Sequence, residues 1–120
     1  MQKQNPITVT AHDALLIVDV QNDFLPGGSL AVPDGNRVIP VINRYIRRFA
    51  SENRPIIASR DWHPADHGSF QALGGPWPPH CVQGSVGAEF ASKLQLPEQA
   101  LIVSKAMGKD DAYSAFDGST

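Results

Sequence analysis

Within residues 60–70, RDWHPADHGSF, two aspartates and two histidines fall inside seven positions, and His80 follows in WPPHC. Imidazole and carboxylate together suit first-row divalent ions such as zinc, manganese or iron. Asp61 and His63, spaced Asp-x-His on a loop leaving a strand, can turn two ligands toward one point. His67 nearby and His80 farther along would complete a set. Three protein ligands leave a position for water or substrate. Four do so only on a six-coordinate ion, which suits manganese or iron better than a closed zinc centre. The alternative is that these loop histidines are solvated and that His-Pro shapes a turn. Asp66 either orients the His67 ring or is a solvated loop acid. His12 stands apart as a surface residue. Cys81, beside His80, reads as a small buried hydrophobe.

The elements that must position these groups follow from three apolar runs. ALLIVDV (residues 14–20) is continuous and rich in branched residues, as a strand buried on both faces is. RPIIASRD (54–61) and QALIVSKA (99–106) repeat the pattern. Each run ends in an ionisable residue, namely Asp19, Asp61 and Lys105. In open parallel sheets the ligand crevice lies beyond the carboxyl ends of the strands, so three such ends suggest one site. On the residues alone, Asp19 and Lys105 form either a structural ion pair or an acid/base pair. Removing two charges from water costs several kcal/mol each, and a pair kept in a crevice therefore points toward chemistry.

Between the first two runs, LPGGSLAVPDGN (25–36) reads as loop. NRVIPVINRYIRRFASEN (36–53) carries Val38, Val41, Ile42, Tyr45, Ile46 and Phe49 at helical spacing. Pro40 fits only in the first turn, where its missing N–H is tolerated. Strand, helix and strand make a parallel crossover. Residues 62–87 show no period and read as a functional loop. AEFASKLQL (88–96) is expected to be a short helix. If Asp19 and Lys105 meet, their strands should be neighbours, giving the order 2-1-3 with helices on both faces. ALIVSK would then be a bare apolar edge prone to association.

The totals bound the function. At 120 residues the chain fits a single domain. A net charge of −2 gives no electrostatic footprint for nucleic acid. No apolar run is long enough to span a membrane, and MQKQNPITVT lacks the apolar core of a secretory signal. One cysteine forms no internal disulfide, which fits the cytoplasm.

Four segments, VDVQNDFLPGGSLAV, DWHPADHGSF, WPPHCVQGSVGAEF and SKAMGKDDAYSAFDG, resemble the nicotinamidases, within the isochorismatase-like cysteine hydrolases. The resemblance runs from about residue 14 to the end. It implies a three-layer α/β/α fold with a mainly parallel sheet, here its first three strands, in one domain over residues 1–120 that ends early. It implies Asp19 as catalytic acid/base and Lys105 as the catalytic lysine. Asp61, His63 and His80 match the metal ligands, with His67 as a further ligand on a divalent zinc, manganese or iron ion. Phe24 and Trp77 match aromatics that sandwich a pyridine ring; by themselves they would read as core packing. Tyr113 lies in the segment bordering the pocket. The reaction implied is hydrolysis of nicotinamide to nicotinic acid and ammonia in NAD salvage, with the metal anchoring the ring nitrogen. The attacking cysteine is expected beyond Thr120, since Cys81 matches the non-catalytic cysteine beside a ligand. The resemblance is compatible with a homo-oligomer. A hydrolase of another small carboxamide, or an inactive metal-binding protein, are the rival expectations.

Overall fold

The computed structural model describes residues 8–110 and 114–120; Tyr113 lies outside them. Strand β1 spans Leu15–Val18, helix α1 Val38–Ser51, strand β2 Ile56–Asp61 and strand β3 Leu101–Lys105, with short 3-10 turns in the loops between. Among the described residues, the β1–β2 and β2–β3 pairings are both parallel. The class is α/β with a parallel sheet.

The strand order is β1-β2-β3, not the expected 2-1-3. Asp19 and Lys105 do meet, but across β2 rather than side by side. Two strand spacings are about 9.6 Å, and the long lysine stem covers that gap because the intervening β2 residue beside Asp19 is the small Ser59. Adjacency of charged side chains at strand ends therefore does not require adjacency of strands.

Alternation divides the sheet cleanly. Leu15, Ile17, Ile56, Ala58, Ala100 and Ile102 face α1 and join Ile39, Ile46 and Phe49 in one apolar cluster. The opposite face carries Leu16, Val18 and Leu101, which are 46%, 59% and 49% exposed. Toward the carboxyl end it carries Ser59, Asp61 and Lys105, all buried. The candidate site thus grows from the face that α1 does not cover.

Helix α1 starts at Val38, the first apolar residue of the helical spacing, and has Pro40 in its first turn, where no N–H is required. Its buried side chains are Ile39, Asn43, Ile46 and Phe49, whereas Val38 and Val41 are exposed. The helical period holds but its phase is rotated toward Ile39. Residues 89–96 do not form the expected helix. Their backbone is drafted alongside the chain leaving β1: Asn22 N–H donates to Glu89 at 3.0 Å and Ala91 N–H to Val20 at 3.0 Å. The Asn43 amide then clamps the segment to α1 through Lys93 and Gln95. Tertiary pairing overrides local propensity here.

The edges also differ from expectation. Ser104 and Ser119 exchange backbone hydrogen bonds of 2.8 and 2.9 Å, closing the end of β3 beside the site. Among the described residues, β1 pairs with β2 alone, so β1 is the barer edge.

Candidate active site

Each strand delivers one charged group to the same crevice. β1 ends at Val18, and Asp19 turns off it in the left-handed region with φ +55°. One carboxylate oxygen of Asp19 accepts from the Ser59 hydroxyl at 2.8 Å. The other lies 2.8 Å from the Lys105 ammonium. Lys105 also contacts Asp61 Oδ1 at 2.7 Å. The second oxygen of Asp61 faces His63 Nε2 at 3.5 Å and His80 Nε2 at 3.9 Å. A continuous path therefore runs from Ser59 through Asp19, Lys105 and Asp61 to two imidazoles.

The electrostatics fit this path. Burial pushes the Asp61 carboxyl up, but hydrogen bonds and charge from His63 and Lys105 outweigh it and hold the group below the usual carboxylate range. Burial likewise pulls Lys105 down, but Asp19 and Asp61 outweigh it and leave the ammonium above its ordinary value. Lys105 is thus held between two acidic side chains, with the two imidazoles on the far side of Asp61.

The histidine tautomers are fixed by their outer partners. His63 Nδ1 lies 3.0 Å from the Ala106 carbonyl and His80 Nδ1 lies 2.9 Å from the Pro78 carbonyl. A carbonyl only accepts, so each Nδ1 carries a proton and Nε2 is the ring nitrogen left to face the Asp61 carboxylate. That is the outer-shell arrangement typical of metal-binding histidines. The ligand atoms of Asp61, His63 and His80 all lie within 4.8 Å of one another, and all three residues are buried. Two imidazole nitrogens and one carboxylate oxygen make a donor set that fits a divalent first-row ion.

His67 is fully buried and stacks on His63 with ring centroids 4.0 Å apart. Its Nε2 points to the Asp110 carbonyl at 3.0 Å and its Nδ1 to the Ser69 hydroxyl at 2.7 Å, so it lies beside the three converging residues rather than among them. Asp66 does not orient that ring; it is exposed and pairs with Lys109 at 3.2 Å. His12 is exposed. Phe24 packs against His80 with centroids 5.7 Å apart. Trp77 is partly exposed, and its backbone is tied to Ser69 and Gln71 on the histidine loop. Cys81 is fully buried, and burial with the charges of Asp61, Asp23 and Asp19 pushes its thiol far above the ordinary range.

Three non-glycine residues around the crevice, Asp19, Cys81 and Ala106, have positive φ. Each bends the chain where a donor or acceptor must face the site, and such conformations persist only where the surroundings hold them. Sequence reasoning missed Ser59. Its signal was available: two residues before Asp61 on a strand, it must share that side chain's face.

Residues 13–120 match the isochorismatase domain family, and the chain belongs to that family. Among curated relatives it is 43% identical over 119 residues to the nicotinamidase of Escherichia coli, covering 86% of this chain and 56% of that protein. It is 41% identical over 108 residues to the nicotinamidase/pyrazinamidase of Mycobacterium tuberculosis, covering 88% and 57%. Among solved structures it is similar to the pyrazinamidase of Pyrococcus horikoshii in complex with zinc, with a TM-score of 0.83 and 54% identity over 87% of this chain and 57% of that one. L. infantum PnC1 in complex with nicotinate also gives a TM-score of 0.83, at 41% identity over 93% and 57%. The chain spans a little over half the length of these relatives.

Proposed function

We propose that the protein carrying this chain is a metal-assisted amidase that hydrolyses nicotinamide to nicotinic acid and ammonia, within cytoplasmic NAD salvage. The observation that carries the reading is the convergence of Asp61, His63 and His80 with Asp19 and Lys105 in one buried crevice. The nicotinamidase relatives supply the substrate class.

Asp61, His63 and His80 would hold the ion, with His67 as a further ligand once its Nε2 leaves the Asp110 carbonyl. A divalent ion there supplies a Lewis-acidic anchor for the substrate, and the zinc-bound relative favours zinc. The pyridine ring lies between Phe24 and Trp77. A cysteine outside these 120 residues attacks the carboxamide carbon; the complete burial of Cys81 and its raised thiol pKa argue against Cys81 in that role. Asp19 takes the thiol proton and returns it to the departing nitrogen as the C–N bond breaks. It then takes a proton from water, whose oxygen adds to the thioester carbon; the C–S bond breaks, the acid leaves, and Asp19 returns that proton to the sulfur. Lys105, 2.8 Å from Asp19, offsets negative charge developing near it.

Ammonia release from nicotinamide by the protein carrying this chain, before and after chelation, tests the proposal. Activity should fall on chelation and return with added zinc. Asp19→Asn should lower kcat by about 10²- to 10⁴-fold, the usual contribution of a general acid/base. Absence of ammonia release from the metal-loaded protein would overturn the reading. The relatives named as pyrazinamidases favour one second substrate: pyrazinamide, compared by kcat/KM in the same assay.

A further inference from the structure

We propose that Gln21 and Asp23, on the loop leaving β1, are positioning residues for the metal centre. Gln21 fixes the backbone at Asp61, and Asp23 fixes the turn at His80 and Cys81. The proposal rests on the reading of Asp61, His63 and His80 as metal ligands.

At Asp19 the chain leaves the sheet, while β2 continues to Asp61. The N–H and C=O of Asp61 point to the side where β1 has already departed. A buried backbone pair without partners would be costly. The Gln21 side chain stands in for the missing strand: its Oε1 accepts from Asp61 N–H at 2.9 Å and its Nε2 donates to the Asp61 carbonyl at 2.8 Å. The second Nε2 hydrogen goes to the Ala88 carbonyl at 2.9 Å. Gln21 is fully buried, and every hydrogen of its amide is committed, so it has no freedom to rotate.

Asp23 performs the matching task for the other ligand segment. Its Oδ2 accepts from Cys81 N–H at 2.8 Å and its Oδ1 from Ser29 N–H at 3.3 Å. Cys81 needs such support because it adopts φ +49° without being glycine. Its carbonyl in turn accepts from His63 N–H at 2.9 Å. The backbone of Cys81 is thus held at one end by Asp23 and at the other by His63, which sets how the adjacent His80 ring meets His63. Gly87 belongs to the same device, since a Cβ there would run into the Asp23 carboxylate.

Zinc affinity, measured by competition with a chromophoric chelator, and the d–d spectrum of the cobalt(II)-loaded full chain test this. Gln21→Ala and Asp23→Ala should each weaken zinc binding by about 10- to 100-fold, the usual effect of losing an outer partner of a metal ligand. Each should also shift the cobalt bands, which a loss of general stability alone would leave in place. Asp23→Asn, which keeps an acceptor for Cys81 N–H, should recover most of the loss. Gly87→Ala should weaken zinc binding in the wild-type background and have little further effect beside Asp23→Ala; this variant decides the matter if the alanine variants do not fold. Wild-type affinity and spectra in Gln21→Ala, Asp23→Ala or Gly87→Ala would overturn the proposal while leaving the metal reading intact. A wild-type chain that binds no zinc would remove both.

Discussion

Lys105 is the residue on which the crevice turns. Its ammonium lies 2.8 Å from Asp19 and 2.7 Å from Asp61, and its side chain is only 4% exposed. Removing one partner of a buried charge set costs more than the set contributes, because the remaining charges stay desolvated. Lys105→Met should therefore destabilise the metal-free protein by about 3–5 kcal/mol, read from denaturant melts. A loss below 1 kcal/mol would show that water already screens the two carboxylates. Ser59→Ala is milder: it removes one hydroxyl donor to Asp19, an effect of about 0.5–1.5 kcal/mol, while lowering kcat more than it raises KM. Asp19, Asp61 and Lys105 were legible in the sequence because a charge ending an apolar run is conspicuous. Gln21 and Asp23 were not, because their partners are backbone groups 40 and 58 residues away, and spacing carries no trace of such contacts.

At the scale of elements, α1 shows what a hydrophobic period does and does not say. The run from Val38 to Phe49 offers apolar residues on more than one face, so the period marks a helix but the sheet chooses the phase. Ile46→Ala, 3% exposed and packed against the sheet, should cost about 2–5 kcal/mol. Val41→Ala, 42% exposed, should stay within about 0.5 kcal/mol. Equal effects in thermal or denaturant melts would return the face to the one the sequence suggests. Residues 89–96 mark the same limit in another form. Their composition suits a helix, but pairing with Val20 and Asn22 and the Asn43 clamp give their backbone better partners than a short helix offers. The strand order escaped the sequence because a lysine long enough to cross a neighbouring strand erases the link between side-chain contact and strand adjacency.

Among the described residues, one sheet face is packed by α1 and the other displays Leu16, Val18 and Leu101 beside the bare edge of β1. An apolar face next to an unpaired strand edge invites association. Residues 1–120 expressed alone should therefore associate, seen as a mass above 13.0 kDa by light scattering, and a Leu16→Lys, Val18→Lys double variant should reduce it. A sharp monomer peak with cooperative melting would count against this. The site itself makes the stronger demand, because Asp61, His63 and His80 come from a strand end and two loops that only the folded chain assembles. Anomalous diffraction from zinc-loaded crystals of the full chain tests that most directly. One peak is expected about 2.0–2.2 Å from a carboxylate oxygen of Asp61 and from Nε2 of both His63 and His80. A peak elsewhere, or none with those imidazoles turned toward solvent, would contradict it.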